Sequence, residues 1–140
     1  MMTFFFDRNV PIALARMLNH YDRQHDTVYL DDRFPKTTAD SDWLVEIAKW
    51  DPKPVVISGD GRILSNPAER QVLAGLPLSF FVFAEGWCNL AWRERAWKTV
   101  KVWPRIVEAA NCRRPTVFRV PVTAQKVEQL WLTAEAVRRK

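Results

Sequence analysis

The sequence predicts an α/β protein, a mostly parallel central sheet of four to five strands with helices on both faces. Two observations predict it. Short continuous apolar runs bounded by turn residues alternate along the chain with longer stretches whose apolar residues recur every three or four positions. The length of 140 residues is close to the commonest size of one domain, so a single domain with one core over residues 1–140 is the expectation.

Thr3-Phe4-Phe5-Phe6 is the first strand and gives way to a turn at Asp7-Arg8-Asn9. Val10, Leu14, Met17, Leu18 and Tyr21 then share one helical face, with Asn9 in the N-cap position and Pro11 in the first turn. Thr27 to Leu30 is the second strand, and Trp43, Leu44, Ile47 and Ala48 form the stripe of a second helix. Pro54 to Ser58 is the third strand, ending at Gly59-Asp60-Gly61. Asn66, Pro67 and Glu69 come next as N-cap, first and third helical residues. Leu78 to Phe83 is the fourth strand.

After Asn89 a long helix is expected, with Trp92, Ala96, Val100, Trp103, Val107 and Ala110 on one stripe and Trp92 and Trp103 read as core. Lys98, Lys101 and Arg105 fall on another face, and Pro104 is expected to kink or divide the helix. Thr116 to Val120 is a fifth strand, and Ala124 to Val137 reads as a closing helix. The core motifs thus occupy residues 3–84, and a basic, tryptophan-rich extension occupies 85–140.

Composition excludes several classes. With 48% apolar and 26% charged residues the chain can bury enough surface to offset its ordering entropy, so disorder is excluded for most of it. The apolar run from Leu76 to Ala84 is broken at Pro77 and Ser79 and falls well short of the roughly 20 residues that span a bilayer, so no membrane partner is expected. The start, Met1-Met2-Thr3, has no basic leader, and Cys88 and Cys112 are too few for a disulfide framework and lack metal-site spacing. A cytoplasmic location is the expectation.

The charge is divided unevenly. Residues 1–70 hold 11 acids against nine bases, a balance of −2, whereas residues 71–140 hold five acids against 12 bases, a balance of +7. Carboxylates gathered beside a basic surface suit an anionic partner, and nucleic acid leads the candidates.

Ligands of open parallel sheets bind outside the carboxyl ends of the strands. Asp7 follows the first strand and Asp60 the third, and Asp40 and Asp42 open a helix that begins on that same edge. Carboxylates converging there repel one another unless a cation neutralises them, and an all-oxygen set favours Mg²⁺ or Mn²⁺. Such ions promote phosphodiester hydrolysis by an activated water. Each acid also has a structural reading. Asp7 can cap a turn beside Asn9, Asp60 has ordinary turn neighbours, and Asp40 can be an N-cap or the acid of a Thr37-x-x-Asp40 capping box. Asp42 suits a helix's first turn through the dipole alone, and Glu69 can reach back to its own cap.

Three segments carry a resemblance. Phe4-Phe5-Phe6-Asp7-Arg8-Asn9-Val10-Pro11, Asp40-Ser41-Asp42-Trp43-Leu44 and Val55-Val56-Ile57-Ser58-Gly59-Asp60-Gly61-Arg62-Ile63, with Asn66-Pro67-x-Glu69-Arg70 after them, resemble the acidic motifs of a PIN-like domain, close to the VapC-type ribonuclease toxins. The resemblance covers roughly residues 3–84 and implies a three-layer α/β/α fold. It implies Asp7, Asp40 and Asp60 as catalytic residues and metal ligands, with Asp42 or Glu69 as a further acid. It also implies an RNA substrate, a toxin-antitoxin system and a cognate antitoxin protein as partner. The family's common form has an additional glutamate between the first two acidic motifs, where this chain offers Asp22, Asp26, Asp31 and Asp32 but no Glu before Glu46.

In the extension, Trp97 is offset from the apolar stripe and stands near Lys98, Lys101 and Arg105, a combination suited to single-stranded RNA and equally to a protein interface. A homodimer remains open.

Three functions therefore compete. The leading one is a Mg²⁺- or Mn²⁺-dependent endoribonuclease of the toxin-antitoxin type. The second is a binding module that keeps the fold without chemistry, motivated by the missing glutamate. The third is a receiver-like phosphoacceptor domain, which wants a paired acid at the first strand and a lysine after the fifth, where this chain has Asp7-Arg8 and Val120-Pro121.

Overall fold

A computed structural model describes residues 1–59 and 67–132. Six strands form one sheet: β1 (Thr3–Phe6), β2 (Asp26–Tyr29), β3 (Val55–Ser58), β4 (Phe80–Phe83), β5 (Thr116–Val120) and β6 (Glu128–Leu132). Their spatial order is β2-β1-β3-β4-β5-β6, with β1 to β5 parallel and β6 antiparallel to β5. The helices are α1 (Ile12–Tyr21), α2 (Leu30–Arg33), α3 (Asp40–Ile47), α4 (Pro67–Ala74) and α5 (Trp92–Ala110). The chain is thus the expected mixed α/β fold with a mostly parallel sheet, one strand larger than the sequence predicts.

The strands are legible because both faces of a parallel sheet are covered, which turns each strand into an unbroken apolar run. Alternate residues of one run then serve opposite layers. Phe4 and Phe6 pack with Leu14 and Leu18 of α1 and Val102, Trp103 and Ile106 of α5. Phe5, between them, packs with Trp43, Leu44 and Ile47 of α3 and Leu73 of α4. Register extends the pattern sideways, Phe4 opposite Val55 and Phe5 opposite Val56, so each face is continuous across the sheet. On the α1–α5 side the rings of Phe81 and Phe118, from adjacent strands, stack at 4.5 Å.

Four local expectations change. Pro11, and not Asn9, is the N-cap residue of α1, which begins at Ile12. Ala124 to Val137 does not form a helix in its described part, because Ala124 is buried in a turn with φ +56° and its N–H bonds the Pro121 carbonyl. The chain emerges from that turn extended and pairs with β5, whose backbone edge would otherwise be open. Pro104 does not divide α5, which runs through it from Trp92 to Ala110 with Pro104 on an exposed position. Trp92 is not core. It keeps the angular position of the apolar stripe, but burial on α5 begins only at Thr99, and Trp92 is 48% exposed.

Candidate active site

The strand order reverses between β1 and β3. From β1 the chain crosses to β2 on one side, and the next crossover returns to β3 on the other. A crevice opens at such a switch point beyond the carboxyl ends of the two strands, and the first residue there is Asp7.

Asp7 is 7% exposed, and its N–H continues the β1–β3 ladder by bonding the Ile57 carbonyl at 3.1 Å. Its Oδ1 accepts from the backbone N–H of Asn9 at 3.0 Å and of Gly59 at 3.3 Å, and the Ser58 hydroxyl also hydrogen-bonds the carboxylate. The two strand ends therefore grip one side chain. Gly59 makes the grip possible, since a Cβ there would stand 2.4 Å from the Asn9 carbonyl oxygen. The Tyr29 hydroxyl, from the end of β2, donates to the Val10 carbonyl at 2.9 Å and ties down the same turn.

Burial pushes the Asp7 carboxyl up from 3.8 to about 6. The three hydrogen bonds act against this, and the negative charge of Asp40 adds to it. Desolvation wins, so the ionised form of Asp7 lacks a compensating positive charge.

Asp40 is the first residue of α3 and not its N-cap, a position that Ala39 takes. Its Oδ1 instead accepts from the indole N–H of Trp43 at 2.9 Å, and Trp43 is anchored by stacking on Phe5 at 5.3 Å. The core thus holds an exposed carboxylate near the crevice. Asp42, two residues on, is exposed. Asp60 and the side chain of Glu69 lie outside the described residues. Asp31 and Asp32 are neutralised by Arg8 at 3.1 Å and Arg16 at 2.6 Å.

Among the described residues no three potential ligands gather into a ready-made metal cluster. The chemistry of the donors, all carboxylate oxygen, nonetheless suits a hard cation: the Asp7 carboxylate is desolvated, and the negative charge of Asp40 adds to what opposes its ionisation.

The residues of the basic face divide. Trp97 is 51% exposed, with the amines of Lys98 and Lys101 each 5.8 Å from its ring centroid, and Arg105 is exposed. Lys98 is tied inward, donating to the Val122 carbonyl at 3.0 Å and pairing with Glu94 at 3.1 Å.

Sequence reasoning missed the contribution of Ser58 and Gly59 to holding Asp7, and the Trp43 indole that holds Asp40. The spacing of Asp40 and Trp43, three apart at a helix start, is the signal that could have found the second.

No curated protein and no solved structure matches the chain. A family model described as a PIN-like domain matches residues 2–85. That stretch runs from β1 past the end of β4 and includes both strand ends that hold Asp7, as well as Asp40 on α3. Since the match takes in more than half of the 140 residues, this chain belongs to the PIN-like domain family, whose members are commonly nucleases and generally use divalent metal ions.

Proposed function

We propose that the chain is a metal-dependent endoribonuclease of the VapC type, the toxin of a toxin-antitoxin pair, which hydrolyses RNA phosphodiester bonds. The observation that carries this reading is Asp7: a carboxylate buried at the switch point, gripped by both strand ends, with its ionisation opposed by burial and by Asp40. The bonds to Asn9 and Gly59 give Asp7 a structural role in capping the turn and joining the strand ends, which a neutral amide would also fill; what they leave unexplained is a carboxylate, whose ionisation there is costly without a cation.

In this reading Asp7 and Asp40 hold Mg²⁺ or Mn²⁺, joined by Asp60 and by Asp42 or Glu69. The ion, when bound, supplies positive charge at the phosphate and activates the attacking water. The backbone N–H groups of Asn9 and Gly59 fix Oδ1 of Asp7 and so set the direction of its other oxygen. The Trp43 indole restricts the Asp40 carboxylate, which reduces the ordering cost of binding. Burial of Asp7 keeps bulk water from one side of the crevice and strengthens each electrostatic contact made there. The reading also brings an inhibitory antitoxin protein as partner.

The test is RNA cleavage with Mg²⁺ or Mn²⁺ present and chelated, by the wild type and by Asp7→Asn, Asp40→Asn and Asp60→Asn. Cleavage that needs the ion and falls at least a hundredfold in Asp7→Asn and Asp60→Asn, with unfolding still cooperative, is the expected result. Equal cleavage in the variants assigns the activity to a contaminant. RNA binding without cleavage by a pure wild-type sample leaves the binding module in its place.

A further inference from the structure

Exposed on α5, beyond the segment the family model matches, are two tryptophans that the core does not use. Trp92 and Trp97 are 48% and 51% exposed, and together with Met17 of α1, Ala96, Val100 and Arg93 they line an open apolar groove of about 510 Å³ between the two helices. Two ridges of the helix build it. Trp92, Ala96 and Val100 form the apolar ridge, and Arg93, Trp97, Lys101 and Arg105 form the neighbouring one at a strict spacing of four. Every residue of the second ridge is exposed. At about 1.5 Å of rise per residue, it sets a guanidinium, an indole, an ammonium and a second guanidinium in a line of roughly 18 Å.

We propose that this groove is a docking track for single-stranded RNA, separate from the cleavage centre, in which bases stack on Trp97 and Trp92 and phosphates lie along Arg93, Lys101 and Arg105. The inference rests on the nuclease reading for the identity of the strand as RNA. Charge complementarity selects a polyanion: α5 carries five bases, Arg93, Arg95, Lys98, Lys101 and Arg105, against two acids, Glu94 and Glu108. One of those acids is already paired with Lys98. A second copy docked about a two-fold axis would set this positive ridge against itself, which disfavours a symmetric dimer here. An indole between cations is what a sequence-tolerant strand site requires, because every base has a face to stack and every nucleotide a phosphate.

Placement supports the track. Both α1 and α5 follow strands of the parallel set, so both begin at the edge where Asp7 lies, and Trp92 is the first residue of α5. A strand leaving the crevice over this face meets Trp92 first and then Trp97, Lys101 and Arg105. The track therefore holds the flanking nucleotides of a substrate whose scissile bond is at the crevice. It accounts for two large indoles that the fold leaves about half exposed and outside the core.

The experiment is fluorescence anisotropy of a labelled 12-nucleotide oligouridylate in EDTA, where cleavage is silent, with the wild type, Trp97→Ala, the double variant Lys101→Glu with Arg105→Glu, and Asp7→Asn. Roughly tenfold weaker binding is expected for Trp97→Ala, the loss of one stacked base. The charge-reversed double variant should weaken binding further and lower the slope of log affinity against log salt by about 1.4, the equivalent of two phosphate contacts on a single strand. Wild-type affinity in both surface variants overturns the proposal, as does an absence of wild-type binding. So does a wild-type dimer that Trp97→Ala dissociates, or an acidic protein partner lost in Trp97→Ala, where RNA affinity is unchanged. A cleavage assay on the same preparations with Mg²⁺ or Mn²⁺ present separates the two readings: affinity that depends on the α5 residues in a wild type that never cleaves supports the track and removes the nuclease, whereas metal-dependent cleavage lost in Asp7→Asn, with affinity indifferent to α5, does the reverse.

Discussion

Asp7 is where the fold gives up stability. Its carboxyl ionises at about 6 in the folded protein against 3.8 when solvated. Below pH 3.8 both states are protonated and the residue costs nothing. Between 3.8 and about 6 the unfolded chain releases its proton while the folded one keeps it, so stability falls as pH rises. Above that window both states are ionised and the penalty is constant, about 3 kcal/mol from a shift of roughly two units. Asp7→Asn keeps an oxygen for Asn9 and Gly59 without the charge. It should therefore be more stable than the metal-free wild type by up to about 3 kcal/mol at pH 7.5 and by little at pH 3.5. Urea unfolding of both proteins at the two pH values checks this, and Mg²⁺ should raise the wild type's midpoint and leave the variant's unchanged. Gly59 is the second residue of consequence. Gly59→Ala places a methyl group 2.4 Å from the Asn9 carbonyl oxygen, so the two strand ends must part. A loss of roughly 1–3 kcal/mol in unfolding free energy is expected, together with a fall in metal affinity measured by calorimetry, because the same two backbone N–H groups that separate are those holding Asp7.

At the scale of elements, α3 is a bracket as well as a cover for the sheet. Trp43 stacks on Phe5 of β1 and points its N–H at Asp40, so a core ring and a candidate ligand are one unit. Trp43→Phe keeps the ring contact and removes the donor. Stability should fall by about 1 kcal/mol, while kcat/KM for RNA cleavage drops by a larger factor than that accounts for, and steady-state kinetics beside urea unfolding would show the split. The element scale is also where the sequence is most and least legible. Phe4-Phe5-Phe6, Val55 to Ser58 and Phe80 to Phe83 announce themselves because burial on both faces writes a continuous apolar run. Asp7 is found from the first of these runs, since the end of a buried parallel strand is where a site belongs. Contact between distant segments is what a sequence cannot display. The Gly59–Asn9 approach joins residues 50 positions apart, and Trp103 bonds Asp22 across 81 positions at 2.8 Å. Periodicity misreads Trp92 as core because it reports the angle of a side chain around its helix and not whether anything lies opposite it. The stretch from Glu128 to Leu132 reads wrongly as helix because its partner, the edge of β5, is a tertiary fact.

The whole molecule combines two regions with different tasks. The family segment, residues 2–85, supplies the acidic crevice at the β1–β3 switch point, and the rest of the chain supplies α5, β5 and β6. Without the second region the first would be unfinished, because β4 is buried on both faces and needs β5 beside it and α5 above it. β6 closes the series. It pairs antiparallel with β5, interrupted by an irregularity at Val117–Phe118, and Arg119 and Glu128 form an ion pair across the two strands. Leu130 and Val127 pack against the two core layers, one on each face. A chain ending at Lys126 would lose both side chains, roughly 3 kcal/mol of apolar burial, a large share of the roughly 5–15 kcal/mol typical of a domain. It would also expose the backbone edge of β5, which carries Val117, Phe118 and Val120 and no proline within the strand to discourage pairing. The expected outcome is a lower urea midpoint together with concentration-dependent self-association, seen by light scattering across a dilution series. A truncated chain that stays monomeric with the wild-type midpoint would mean that β6 rests on the sheet without supporting it. The sequence carries its own guard against edge pairing: Arg119 is the one residue of β5 that is exposed, and once Glu128 is gone its unpaired charge opposes a second β5 edge. Association should therefore strengthen with salt, which screens that repulsion. This dependence is opposite in sign to that expected of the RNA binding proposed for α5, so one salt titration distinguishes the two behaviours.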